Sequence, residues 1–136
     1  MVVPGEAEGP LVGGNLSLVT RLLGTPFAPA SLLSGSILLL EDVGERPYRL
    51  DRMLTHIRLS GARPSAVVLG DFAGCEEAAA NYACTDVLEE VLAGWGVPVV
   101  AGFPAGHGPR CRALPLGVKA RISEGRLEVR ESPWST

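Results

Sequence analysis

Cysteine is scarce and unpaired in this sequence. Cys75, Cys84 and Cys111 make an odd count, and no Cys-x-x-Cys or similar metal-pair spacing occurs. That argues against a disulfide framework and fits reduced thiols in a cytoplasmic protein. Aromatic residues make up 5% of the chain and the formal net charge is −3. With no basic cluster interleaved with aromatic side chains, nothing points to a nucleic acid or an anionic membrane as partner. No apolar run approaches the ~20 residues that span a bilayer, and Met1–Glu6 lacks the charged and apolar regions of a signal peptide. No internal repeat, no low-complexity segment and no Gly-x-Ser-x-Gly nucleophile elbow is present. What remains is an ordinary globular balance, 46% hydrophobic and 20% charged over 136 residues, long enough for one domain with a real core.

Residues 1–8 belong to a Pro/Gly/Glu-rich stretch and read as a lead-in or linker stub, with the domain proper over 9–136. Pro10-Leu11-Val12 predicts a short strand that breaks into a turn at Gly13-Gly14. Asn15 then caps a helix carrying Leu16, Val19, Leu22 and Leu23, which Gly24 and Pro26 stop. Residues 25–35 read as a Pro/Ser-rich loop and 36–40 as a buried strand. Leu50, Met53, Leu54 and Ile57 recur at helical spacing behind Pro47, with Arg49, Arg52 and His56 on the opposite, solvated face. Ala66–Gly70 predicts a second buried strand. Thr85 reads as the cap of a helix whose apolar face is Val87, Leu88, Val91, Leu92 and Trp95. Val97–Phe103 reads as a strand ending in the Gly102–Gly108 loop. Residues 118–122 and 127–130 alternate apolar and polar across Ser123-Glu124-Gly125, an antiparallel hairpin. Buried strands with helices, then a hairpin, give an α/β (α+β) domain with a mixed sheet.

Two residues stand where such folds place chemistry: Glu41, straight after Ile37–Leu40, and His107, between two glycines after a later strand. A carboxylate at the end of a buried strand is costly without a partner. A carboxylate holding a histidine Nδ1–H is the supporting half of a Ser-His-acid triad. The bland alternatives stay open: His107 as a loop histidine bonded to backbone, Glu41 as a cap or an ion-pair partner of Arg46 or Arg49. No serine is well placed as nucleophile. Cys75 is the internal alternative, as a thiolate near His107, although a small buried residue is the usual fate of a free cysteine. His107, Cys111 and Cys84 make only a weak zinc set, so no metal is expected. Gly13-Gly14-Asn15 could cradle an anion at a helix N-terminus, or supply a plain cap.

In order along the chain, Gly9-Pro10-Leu11-Val12-Gly13-Gly14-Asn15-Leu16, Gly24-Thr25-Pro26, Ile37-Leu38-Leu39-Leu40-Glu41-Asp42, Pro47-Tyr48-Arg49-Leu50-Asp51-Arg52-Met53-Leu54 and Gly102-Phe103-Pro104-Ala105-Gly106-His107 resemble the LD-carboxypeptidases, the muramoyl-tetrapeptide carboxypeptidases with the related microcin-immunity peptidases. The resemblance covers residues ~9–130. It implies a swivelling β/β/α, barrel-like C-terminal domain of a two-domain serine peptidase. Glu41 and His107 would be the catalytic Glu and His, and Asn15 would lie near the substrate. The serine and oxyanion hole would belong to an N-terminal domain that nothing in this chain matches. It further implies cleavage of the terminal D-Ala from murein tetrapeptide or a related peptide in peptidoglycan recycling, no cofactor, a cytoplasmic location and a homodimer, with no nucleic acid and no membrane as partner. The alternative is a non-catalytic peptide- or partner-binding domain derived from this family.

Overall fold

The computed structural model describes residues 2–27, 30–76 and 82–134. The strands are β1 (Val2–Val3), β2 (Ala7–Asn15), β3 (Ile37–Val43), β4 (Ala66–Ala73), β5 (Val99–Val100), β6 (Lys119–Ser123) and β7 (Arg126–Val129); the helices are α1 (Leu16–Leu22), α2 (Ala30–Leu33), α3 (Pro47–Leu59) and α4 (Cys84–Ala93). They form a mixed sheet in the order β1-β5-β4-β3-β2-β6-β7. β2, β3, β4 and β5 run parallel, while β1 and the β6–β7 hairpin are antiparallel to their neighbours. The expected α/β mixed-sheet class is therefore present.

β2 is the joint of this sheet. Its first half, Ala7–Pro10, pairs with β6, and its second half, Leu11–Asn15, pairs with β3. Strand pairing thus reaches into the stretch read as a lead-in: Ala7 and Glu8 face Ile122 and Arg121, and Val2–Val3 pair with Val99–Val100. Nor does β2 break at Gly13-Gly14 as predicted. Both glycines have positive φ (122° and 140°), and a Cβ on Gly13 would collide with the Leu39 carbonyl. Gly13 lets the strand stay paired where a side chain would push it off β3, and Gly14 supplies a backbone conformation that L side chains rarely adopt.

The sheet divides the core in two. On one face Leu38, Leu40, Val67 and Leu69 pack against Leu16 of α1, Leu50, Leu54 and Ile57 of α3, and Leu88 and Leu92 of α4. On the other, Leu39, Val68, Leu11 and Ile37 meet Ala105 of the loop after β5 and Ala120 and Ile122 of β6. The period-2 alternation of β3 and β4 sorts their side chains between the faces.

Other element ends move for local reasons. β3 continues through Glu41 and Asp42 to Val43, and β4 runs on to Ala73. β5 is only two residues long, because Pro98 brings no N–H to a ladder and the chain turns away at Gly102 (φ 75°). Ala83, not Thr85, stands at the N-terminus of α4; alanine has no capping oxygen, so Asp86 accepts from the Ala83 N–H at 2.8 Å. Within the predicted 25–35 loop a single helical turn, α2, buries Leu33; positions 28 and 29 lie outside the described residues. The hairpin turn is as read, with Glu124 and Gly125 both at positive φ (50° and 70°), the signature of a two-residue primed turn.

Leu54 is fully buried on α3 and Leu59, on the same helix, is 80% exposed. Leu54→Ala should cost about 2–5 kcal/mol in urea denaturation, and Leu59→Ala should stay within about 0.5 kcal/mol. Equal losses would contradict this packing of α3.

Candidate active site

Glu41 sits on the face of β3 away from the helices and is almost fully buried. Two glycines make room for it. Gly70 on neighbouring β4 and Gly106 on the loop after β5 both pass so close that a Cβ on either would stand about 3 Å from the Glu41 side chain. Gly106 also has φ 119°, where an L side chain is strained. Between Gly106 and Gly108, His107 turns back over the strand end, and its Nδ1 lies 2.8 Å from Glu41 Oε2. An ionised carboxylate can only accept, so Nδ1 is the donor in this contact, and in the neutral ring that leaves the lone pair on Nε2. The His107 side chain is 53% exposed, against 9% for Glu41. The pair is a buried orienting carboxylate beneath a half-exposed imidazole, arranged as the base-and-orienter part of a triad. Arg49, considered above as an ion-pair partner of Glu41, instead has its Nε 3.0 Å from Glu45 Oε2, close enough for an ion pair though not aligned as a hydrogen bond.

Asn15 is opposite Glu41 in the β2–β3 register. Its Oδ1 accepts from the Leu18 N–H (3.2 Å) and from Ser17 Oγ (2.7 Å), and its Nδ2 donates to Asp42 Oδ1 at 2.9 Å. It is therefore the cap of α1, with one Nδ2 hydrogen free of partners among the described residues. Asp42 lies beyond the strand expected over 36–40 but inside β3. Being one residue beyond Glu41 in an extended strand, it faces the helix side and is 2% exposed. Its Oδ2 accepts from the Ser17 N–H at 2.9 Å. The anion seat at the start of α1, raised as a ligand cradle, is thus filled by the chain's own carboxylate.

The remaining candidates do not converge on His107. Cys75 and Cys84 lie in the helix-side core, on the far face of the sheet, while Cys111 is exposed. This removes the Cys75–His107 thiol arrangement, and among the described residues no three His, Cys, Asp or Glu side chains gather as a metal set. Burial pushes the Cys75 thiol up, and burial beside Cys75 pushes Cys84 up to about 12 from an ordinary 9.0. His56 is exposed on α3, as expected.

Buried, protonated thiols are poor nucleophiles. Iodoacetamide near neutral pH should modify Cys111 in the native chain and reach Cys75 and Cys84 only after unfolding, as read by peptide mass spectrometry; fast labelling of Cys75 would contradict the structure. The raised Cys84 thiol contributes stability that is complete below the ordinary thiol range and is lost as pH rises from 9.0 towards about 12. Cys84→Ala should therefore flatten that alkaline loss in urea melts.

Gly106→Ala should loosen the His107–Glu41 contact, seen as a shifted His107 ring resonance. An unmoved resonance would show that the glycine is dispensable.

A model of the LD-carboxypeptidase C-terminal domain family matches residues 8–122. A "probable murein peptide carboxypeptidase" of Bacillus subtilis (strain 168) is 40% identical over 126 residues, 90% of this chain and 39% of that protein. The crystal structure of muramoyltetrapeptide carboxypeptidase from Oxalobacter formigenes is 34% identical with a TM-score of 0.79, covering 93% of this chain and 45% of that one. MccF, solved in complex with glutamyl sulfamoyl guanosine, is 31% identical with a TM-score of 0.83, covering 98% of this chain and 41% of that one. The chain thus spans about two fifths of the length of these relatives, and the barrel-like mixed-sheet fold implied by the sequence resemblance is theirs. By the match over most of its length and by its fold, this chain belongs to the LD-carboxypeptidase family, as its C-terminal domain.

Proposed function

We propose that this chain is the C-terminal part of a serine-type LD-carboxypeptidase that removes the terminal D-Ala from murein tetrapeptide in the cytoplasm, during peptidoglycan recycling. The observation that carries the reading is the 2.8 Å contact of His107 Nδ1 with buried Glu41 beneath a half-exposed ring. The names of the relatives, murein peptide and muramoyltetrapeptide carboxypeptidase, supply the substrate class.

In this mechanism the serine comes from an N-terminal domain. His107 Nε2 takes the serine proton as Oγ attacks the amide carbonyl between the L-centre of the diamino acid and D-Ala. It returns that proton to the leaving nitrogen, then activates water to release the acyl group. Glu41 holds the ring in the Nε2-basic tautomer and stabilises the imidazolium. Asn15, through its free Nδ2 hydrogen, contacts the peptide at the neighbouring strand end. No cofactor is required. Exposed Leu18 and Leu22 of α1, on the helix that Asn15 starts, are assigned to contact with the N-terminal domain. Assembly as a homodimer is part of the same proposal, and a monomer at all concentrations in sedimentation would remove it.

Alone, the chain should release no D-Ala from murein tetrapeptide. Joined to the N-terminal domain of the Bacillus subtilis relative, it should release D-Ala. In that protein His107→Ala and Glu41→Gln should each lower kcat on the order of ten-thousand-fold. Turnover by the chain alone would mean that its nucleophile lies within these residues, and an active His107→Ala protein would remove the mechanism.

A further inference from the structure

Glu41 is not the only carboxylate against the Gly106–His107–Gly108 turn. Leu40 stands opposite Leu69 and Asp42 opposite Phe72, so β4 places two residues, Gly70 and Asp71, against Glu41 alone. Bulges of this kind re-aim side chains next to active sites. Here the two residues divide the work. Gly70 leaves room for Glu41, while the Asp71 carboxylate lies directly against Gly108, where any Cβ would collide with it. A Cβ on Gly106 would press on Glu41 in the same way. His107 therefore stands between two glycines, each resting on a carboxylate.

The scaffold itself gives no reason for a carboxylate at position 71. The bond that ties β4 to the loop, from the Asp71 N–H to the Ala105 carbonyl at 2.8 Å, is made by backbone, and any residue but proline could make it. Asp71 Oδ2 is shut off from solvent and has no hydrogen-bond partner. A buried acceptor left unmade destabilises a fold, and a native exception needs an explanation. Because Oδ2 is sealed, no ligand can meet it; the group it adjoins is the turn. Gly108 is one Cα step from His107, which puts the carboxylate within about 8 Å of the His107 Cα. The other charged groups about the turn are Glu41 on β3 and, further along the loop, Arg110 and Arg112. Both arginines are exposed, so water and salt weaken their reach, whereas no water covers Asp71 Oδ2.

We propose that Asp71 is a positioning residue for His107: it seats the Gly108 end of the turn as Glu41 seats the Gly106 end, and its unpartnered charge favours the imidazolium that forms when His107 takes the serine proton. The proposal rests on the carboxypeptidase reading above. The two carboxylates have separate tasks. Glu41 touches the ring and fixes its tautomer. Asp71 touches only the turn, and acts on the ring through the backbone and through its field. A neutral side chain of the same shape would keep the seat and lose the field, so Asp71→Asn separates the two. Asp71→Ser removes the same charge from a smaller side chain and serves if the asparagine variant does not fold.

The first measurement is an NMR pH titration of the His107 ring nitrogens in the 15N-labelled 136-residue chain. In Asp71→Asn and in Asp71→Ser the ring should take up its proton at a pH lower than in the parent by about half a unit or more. Asp71→Asn should melt at the parent temperature or higher, because it removes a buried charge that has no partner. The second measurement uses the protein fused to the N-terminal domain of the Bacillus subtilis relative. There each variant should lower kcat about tenfold and leave KM within about twofold, since the imidazolium forms after substrate has bound. The proposal falls if the ring titrates as in the parent in both variants, or if kcat is unchanged. A role in packing alone would lower the melting temperature of Asp71→Asn and leave the ring titration where it was, which also overturns the proposal. A fused parent protein that releases no D-Ala would remove the carboxypeptidase reading, while the ring titration, which needs no nucleophile, would still report whether Asp71 acts on His107.

Discussion

The buried carboxylate of Glu41 is the constraint around which the domain is arranged. A charge cannot be left unanswered at the end of a central strand, and the answer here is a single imidazole delivered by a loop from the far side of β4. For that loop to arrive, β4 must present no side chain at Gly70 and the loop none at Gly106. β4 must also make room for an extra residue beside Glu41. The local irregularities of the sheet therefore gather at one strand end, while Ile37–Leu40 and Ala66–Leu69 below it stay regular and tightly packed.

The sheet also keeps different chemistries apart. The helix-side face holds Cys75, Cys84 and the aliphatic contacts of α3 and α4; the other holds Glu41 and is covered by the His107 loop and the terminal hairpin. Adjacent residues at the end of β3 serve opposite faces. Glu41 orients His107, while Asp42 ties the start of α1 through Ser17 and Asn15. Two neighbouring acids, alternating in an extended chain, thus join the site to the scaffold without competing for one partner.

Much of this was legible in the sequence where the signal was local. The stripe Leu50, Leu54, Ile57 gave α3, Asn15 gave a cap, and Ser123-Glu124-Gly125 gave the hairpin turn, because spacing and turn chemistry act within a few residues. Glu41 and His107 stood out as a carboxylate after an apolar run and a histidine between glycines, but only the fold brings them within a hydrogen bond. Elements were misjudged where tertiary contact overrides local preference. Gly13-Gly14 looked like a turn yet stays in a strand, since pairing with β3 needs bare backbone there. Val97–Phe103 looked like a strand yet pairs for two residues. Asp42 was recoverable from the period-2 rule, which sends it to the face opposite Glu41 once the strand is carried past Leu40.

β2, which pairs in parallel with β3 through one half and antiparallel with β6 through the other, gives the site a property of its own. A strand held by one neighbour can slip by a residue, and a slip turns every side chain to the wrong face. β2 can slip only if two ladders of opposite direction break together, so the alignment of Asn15 with Glu41 is locked twice over. The long connection between α1 and β3 is thereby freed from setting that alignment, and its length and composition can drift during evolution while the strand ends that frame the site keep their places.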